Sequence, residues 1–423
     1  MNSKRKILLK GPVLTQSGYG EQTRFALRSI RSREDLFDIY IQPTQWGTTG
    51  WSRAFDEERQ WIDQKVHQTA EYIQQGGTFD YSLQSLIPNE FEKIAKVNLG
   101  YTAGVETTKV HHDWILKPNQ TVNKIITTSN HTRDVLLNTQ YTAVDKNTNQ
   151  EVKLNLNIPV KTVNYCVKQY DELPSLELEL KHDINFLCVA QWSPRKNIEN
   201  TIRWFVEEFK EDDVGLILKT NVSKNCYMDR EMTVNQLKAV LAPYGDTKCS
   251  VYLLHGDMND SEMISLYKHE KVKAFVSLTH GEGFGLPIFE AAYSGLPVIA
   301  TGWSGQLDFL VTEDGQNMYY PVSFDLNNVP PEVVWEGIIL ADSMWSNPRE
   351  FSSKKQLRKV YETFINPDEM PDLIHATGLH ERFAPEKMHK LFVDEILEFE
   401  HLLEPLQNSD WMSDISSIVQ EYE

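Results

Sequence analysis

Residues 280–305 read HGEGFGLPIFEAAYSGLPVIATGWSG. A strand-like run, KAFVSL at 273–278, precedes this stretch, and another, PVIAT at 297–301, lies near its far end. Pro287 suits the first turn of a helix and Gly295 its end, so 279–286 reads as the loop joining strand to helix. The glycines at 281, 283 and 285 remove side chains and admit unusual backbone angles, which lets successive N–H groups converge on one ligand. The helix behind adds about half a positive charge at its N-terminus, so the loop is shaped for an anion. Glu282 stands in that loop and Glu290 about one turn into the helix. Carboxylates accept hydrogen bonds from paired hydroxyls, and a polyol joined to a diphosphate, which is a nucleotide sugar, would use both carboxylates and the amides between them. The plainer alternative makes Glu282 a solvated loop residue and Glu290 a dipole partner of the helix's first turn.

The same strand-then-helix rhythm runs through most of the chain. Further strand-like runs are KILLKG at 6–11, KIITTS at 124–129, INFLCVAQ at 184–191, GLILKT at 215–220 and SVYLLHG at 250–256, each followed by a helical pattern. Such alternation predicts βαβ units and parallel sheets. Residues 165–183, YCVKQYDELPSLELELKHD, interrupt it with Pro174 and clustered charge, and a domain boundary is expected there. The turn-rich stretch AVDKNTNQEVKLNLNIP at 143–159 reads as a surface hairpin. Two amphipathic helices are expected at the end. Met388, Leu391, Phe392, Ile396, Phe399 and Leu403 share one stripe, and Trp411, Ile415, Ile418, Val419 and Tyr422 another.

A chain of 423 residues exceeds what one hydrophobic core usually serves, so two domains are expected. Its 40% hydrophobic and 24% charged residues fit a soluble globular protein. No apolar run approaches the roughly 18 residues of a spanning helix, and Ile7–Leu9 before Lys10 is too short for a signal-peptide core. Cysteines at 166, 188, 226 and 249 show no metal-type spacing, and a chain this long needs no disulfide framework; a reducing, cytoplasmic location is expected. The net charge of −18 repels polyanions, which argues against a general nucleic-acid surface, so any phosphate must be held locally.

The run EGFGLPIFEAAYSGLPVIAT at 282–301 resembles the glutamate-x7-glutamate signature of the retaining GT-B glycosyltransferases of family 4. The resemblance implies two Rossmann-like domains with parallel sheets facing a central cleft: an acceptor domain at 1–168 and a donor domain at 169–404, with a last helix at 405–423 packing back on the first. It implies that Glu282 contacts the donor sugar, Glu290 the ribose, and the amides of Gly283, Phe284, Gly285 and Leu286 the sugar and diphosphate. INFLCVAQ followed by WSPRKNIENTIRWFVEEF resembles the family's phosphate-binding segment, with Lys196 as its lysine and Arg195 beside it. Gln191 stands where the family usually has an arginine. The loop around Gly18 and Gly20 resembles the glycine turn that approaches the diphosphate across the cleft, although Glu21 next to it would oppose a phosphate placed too close.

By the same resemblance Thr220 and His255, at strand ends, lie near the phosphates and the base, and Ser304 with Gly305 forms a further backbone loop near the diphosphate. Glu106, His111, His112, Asp113 and His131 become candidates to face the acceptor, although a histidine in a polar stretch is more often structural. No two aspartates are separated by a single residue, so the Asp-x-Asp metal site of the other large glycosyltransferase fold is missing. A metal-independent reaction without cofactor is expected, using a UDP- or GDP-sugar or another nucleotide sugar as donor. A nucleotide-sugar-binding protein without turnover, and a sugar-nucleotide epimerase, are the competing readings.

Overall fold

The computed structural model describes residues 4–52, 55–144, 149–366 and 376–403. The protein has a GT-B fold, in which two parallel sheets, each flanked by helices, meet across a cleft. The first sheet has the order β2-β1-β3-β4-β5-β8. Its strands are β1 (Arg5–Gly11), β2 (Phe37–Pro43), β3 (Tyr81–Ser85), β4 (Val97–Thr102), β5 (Lys124–Thr127) and, after the hairpin β6 (Tyr141–Val144) and β7 (Glu151–Leu154), β8 (Val160–Thr162). The crossovers carry α1 (Gly18–Arg31), α2 (Glu57–Gln74), α3 (Asp113–Thr121) and α4 (Asn130–Asn138). Ile7, Leu8 and Leu9 are consecutive and all buried, because a parallel strand is covered on both faces.

The second sheet has the order β11-β10-β9-β12-β13-β14, with β9 (Asn185–Val189), β10 (Gly215–Lys219), β11 (Ser250–Leu254), β12 (Val272–Ser277), β13 (Val298–Thr301) and β14 (Tyr320–Val322). Its helices are α5 (Ile198–Phe209), α6 (Tyr227–Leu241), α7 (Asp260–Tyr267), α8 (Leu286–Tyr293) and the short α9 (Leu307–Leu310). An antiparallel pair, β15 (Phe324–Asn328) and β16 (Met344–Pro348), stands outside both sheets. The chain continues through α10 (Glu350–Ile365), α11 (Ala376–Arg382) and α12 (Pro385–Leu397).

Several expectations meet the structure closely. Every strand run named from sequence forms a strand, and the surface hairpin is β6–β7. The sequence reading passed over β2, β3, β4, β8 and β14. Tyr81–Ser85 holds Ser82, Gln84 and Ser85, all buried and mutually hydrogen-bonded with neighbours, so its polarity hid a core strand. Gly18 and Gly20 do not form a turn before α1; they are its first residues, capped by Ser17 Oγ on the Gly20 amide at 3.0 Å. A Cβ at Gly20 would lie 2.1 Å from the Thr15 carbonyl oxygen, so close backbone approach, not a positive φ, requires glycine there.

Of the expected stripe, Met388, Phe392 and Ile396 are buried on α12 whereas Leu391 is 42% exposed, and the buried face docks on the first sheet's layer. Phe392 meets Phe25 edge to face at 5.6 Å and Tyr101 at 4.9 Å, while buried Lys124 pairs with both Glu395 and Glu398. Residues 385–403 therefore pack against the first sheet's layer, with Glu400 pairing Arg5 of β1. The helix expected at 405–423 lies outside the described residues.

Candidate active site

The expected loop is present. Gly285 takes φ 94° as the N-cap of α8, and Pro287 falls in the helix's first turn. Glu282 is 6% exposed and sits between two cations: Lys196 Nζ donates to Oε1 at 2.6 Å and Arg195 Nη1 to Oε2 at 3.2 Å. Arg195 also donates to the Gly281 carbonyl at 2.6 Å and pairs with Glu106 at 3.2 Å. Burial alone would raise the Glu282 carboxyl, but Lys196 and Arg195 overcome it and hold Glu282 below the usual carboxylate range. Both cations come from the loop after β9. Asn197, left-handed at φ 54°, turns that loop into α5 and donates from Nδ2 to the Leu278 carbonyl at 2.9 Å, tying cations and carboxylate to one frame.

Ser304 latches the loop from the other side. Its Oγ accepts the Glu282 amide at 2.8 Å and donates to Gln306 Oε1 at 2.9 Å, while the Gly305 amide bonds the Glu282 carbonyl at 3.0 Å. The amide of Glu282 is thus used within the protein. Those of Gly283, Phe284, Gly285 and Leu286 find no acceptor among the described residues. The Phe284 side chain is buried against Tyr165, Phe289 and Phe309, so this residue offers backbone only.

The first domain presses directly on the loop. A Cβ on Gly281 would lie 2.6 Å from the Glu106 carbonyl oxygen, and one on Gly283 would lie 2.7 Å from that of Ala103. The structure therefore brings Glu106 to Arg195 across the cleft. His131, the second residue of α4, meets Trp303 edge to face at 4.9 Å, and its Nε2 is buried with no hydrogen-bond partner among the described residues. Burial pushes His131 down to about 4, so the ring is neutral near pH 7.

Glu290 lies in a second polar cluster. Lys168 Nζ reaches Glu290 Oε1 at 3.4 Å, Asp260 at 2.9 Å and Glu21 at 3.3 Å, and the Tyr267 hydroxyl donates to Glu290 Oε2 at 3.2 Å. Burial, with Asp260 and Glu21 nearby, outweighs Lys168 and keeps Glu290 above its ordinary value. Glu21 moves the other way: Lys168, Arg28 and Arg24 overcome its burial and hold it well below the carboxylate range. Beside this cluster opens a cavity of about 670 Å³ lined by residues such as Glu21, Arg24, Arg59, Tyr170, Met258 and Asp260.

Other expected residues are engaged elsewhere. The buried His255 ring bonds Asp229 Oδ1 at 2.9 Å, and Asp229 caps the amides of Val222, Ser223 and Lys224, so the His255 side chain braces a loop. Gln191 donates to the Val222 carbonyl at 2.8 Å, and Thr220 is buried at the end of β10. His111, His112 and Asp113 form a surface group at the start of α3, with the two rings 3.9 Å apart.

Sequence reasoning missed Lys168, which lies within its boundary segment; the carboxylates it joins are distant in sequence, so no local pattern announces it. It missed Asp308 too. Asp308 Oδ2 accepts the Asn130 amide at the start of α4 and Asn164 Nδ2, both at 2.8 Å, fastening one domain to the other.

Residues 247–320 match the family model described as Glycosyl transferases group 1. No curated protein matches the chain in sequence. A glycosyltransferase from Rickettsia africae covers 96% of this chain and 100% of its own, with 14% identity and a TM-score of 0.57. Sucrose-phosphate synthase from Thermosynechococcus elongatus covers 94% of this chain and 100% of its own, at 12% identity and 0.58. HepE from Anabaena, solved with UDP and glucose, covers 93% of this chain and 100% of its own, at 11% identity and 0.53. At such identities the likeness speaks for the fold alone. The chain is thus a GT-B protein whose second domain carries, over residues 247–320, the sequence signature of the group 1 glycosyl transferases.

Proposed function

We propose that this protein is a retaining glycosyltransferase that moves a sugar from a nucleotide diphosphate to an acceptor hydroxyl without a metal ion. One observation carries the reading: an ionised, buried Glu282 held by Lys196 and Arg195 at the mouth of a loop whose next four amides have no acceptor among the described residues. A diphosphate would take those amides and draw the two cations from Glu282. The carboxylate then becomes free to accept hydroxyls of the donor sugar. Glu290, with the cavity by Asp260 and Met258 beyond it, would take the ribose and base.

In the transfer step the bond from the anomeric carbon to the phosphate oxygen breaks, and a bond to the acceptor oxygen forms on the same face. The acceptor proton passes to the departing phosphate oxygen. Lys196, Arg195 and the α8 amides stabilise the negative charge that grows there, the kind of preorganised electrostatic help that dominates many enzymic rates. His131 is neutral and faces Trp303, so it would position the acceptor side and not supply a proton.

Calorimetry with UDP, GDP and ADP tests the reading. At least one should bind, and the same donor class should support transfer with retained anomeric configuration by NMR. Absence of binding by all three would overturn the proposal. Conversion of a nucleotide sugar with no acceptor present would favour the epimerase.

A further inference from the structure

The arm made of β15, β16 and residues 329–343 begins past the family-matched segment. At its base it clamps the donor loop. The Ser346 amide donates to the His280 carbonyl at 3.0 Å, Ser346 Oγ to the same oxygen at 2.8 Å, and His280 Nδ1 to the Ser346 carbonyl at 2.6 Å. Trp345 stacks on the His280 ring at 4.4 Å. The far part is fixed to the first domain: Lys109 pairs with Asp342 at 2.6 Å, the Thr108 amide donates to the Met344 carbonyl at 2.9 Å, and Trp114 Nε1 donates to the Gly337 carbonyl at 3.1 Å. Ile338 joins the core around Val105, Val110 and Trp114. The arm therefore bridges the cleft on the side where Glu106 meets Arg195.

Among these anchors Trp335 stands 63% exposed. Its backbone is closed into a tight turn, with the Trp335 amide on the Ile339 carbonyl at 3.0 Å and the Ile339 amide on the Trp335 carbonyl at 2.8 Å. A rigid turn thus holds a large indole in water. An indole so placed suits either the C–H face of a sugar ring or a lipid interface. Charge decides between them. Residues 324–348 contain four carboxylates, Asp325, Glu332, Glu336 and Asp342, and no lysine or arginine. Arg349 neutralises Asp325 and Lys109 neutralises Asp342, while Glu332 and Glu336 make no ion pair among the described residues. Carboxylates beside the indole repel phospholipid, phosphorylated and nucleic-acid partners, and they accept hydrogen bonds from hydroxyls.

Resting on the transferase reading, we propose that Trp335 and Glu336 form a subsite for a sugar ring of an uncharged glycan acceptor, at a distance from the ring that receives the transferred sugar. The test is saturation-transfer NMR on the full chain with its preferred nucleoside diphosphate. Neutral gluco-, manno- and N-acetylglucosamine oligosaccharides serve as probes, beside calorimetry of nucleotide binding. At least one oligosaccharide should bind, roughly fivefold to tenfold more weakly to Trp335→Ala and with near-native affinity to Trp335→Phe, while nucleotide affinity stays unchanged in both. Nucleotide binding without any oligosaccharide signal, or equal oligosaccharide binding by Trp335→Ala, overturns the subsite and leaves the transferase reading intact. Binding to phosphatidylglycerol vesicles that Trp335→Ala abolishes would assign the indole to a membrane and also overturn it. Failure of every nucleotide to bind removes both proposals.

Discussion

Two polar clusters join the domains, and they differ in charge balance. Around Glu282, the two cations Arg195 and Lys196 face the two carboxylates Glu282 and Glu106. Around Glu290, the single ammonium of Lys168 pairs with Glu290, Asp260 and Glu21, and among the described residues Glu21 alone of the three has further ion pairs, with Arg24 and Arg28. The first cluster is neutral when empty and can exchange one anion for another. The second is short of positive charge, which repels phosphate and favours groups that donate hydrogen bonds. A ligand whose diphosphate meets the balanced cluster and whose hydroxyl-bearing ribose meets the acidic one matches this gradient, and the proposed donor is such a ligand.

The largest expected effect comes from the poorer cluster. Lys168→Met should leave the largely buried Glu290 and Glu21 without their shared cation and cost about 3 to 5 kcal/mol of stability, read by urea denaturation. A loss under about 1 kcal/mol, as for an exposed pair, would mean that Lys168 is not their keystone. In the balanced cluster the main loss should be in rate. Lys196→Ala removes a cation from the proposed leaving group and should lower turnover about a hundredfold or more, about 2.7 to 4 kcal/mol, with the fold retained by circular dichroism. Near-normal turnover would remove Lys196 from the mechanism.

The two clusters were unequally legible in the sequence. Glu282, Lys196 and Arg195 could be named because each sits in a loop whose turn is written locally, in the glycines of 281–285 or in the step from strand to Pro194. Lys168, Asp260 and Glu21 come from a linker, a helix start and the other domain, so their meeting depends on how two sheets are placed. Polarity alone was a poor guide to the core. The His255 ring at its strand tip bonds Asp229, a partner distant in sequence, and Tyr81–Ser85 looks too polar for a core strand because its hydroxyl and amide groups pair with buried neighbours. The arm at 324–348 escaped notice because it belongs to neither βαβ series.

A third contact across the cleft carries no charge. His131 against Trp303 should contribute a pH dependence of its own. Burial depresses the folded pKa to about 4, whereas an unfolded histidine titrates near about 6.5. Below about pH 6.5 the unfolded chain binds a proton that the folded chain refuses, so stability falls until about pH 4 and the His131 share is then constant. About 2 to 3 kcal/mol of it is lost by pH 4.5. His131→Leu should remove it, so the difference between wild type and variant measured at pH 7 should shift by that amount at pH 4.5. A difference independent of pH would place the His131 ring in water.

The smallest expected effect tests the charge balance itself. Glu282→Gln keeps the shape of the first cluster but deletes one negative charge, so Lys196 and Arg195 are released toward an incoming anion. Affinity for the preferred nucleoside diphosphate should rise roughly threefold to tenfold, up to about 1.4 kcal/mol, although the substitution lies in the proposed donor site. Discrimination among nucleotide sugars should fall, because an amide accepts fewer hydrogen bonds than a carboxylate. Glu290→Gln should act in the opposite sense: its carboxylate holds Lys168, which stays paired with Asp260 and Glu21, and neither Lys196 nor Arg195, so losing it mainly weakens the grip on ribose hydroxyls. Calorimetry on the two variants side by side therefore reads the sign of the difference between the clusters. A shift of both affinities in the same direction would show that Glu282 and Glu290 serve one undivided site.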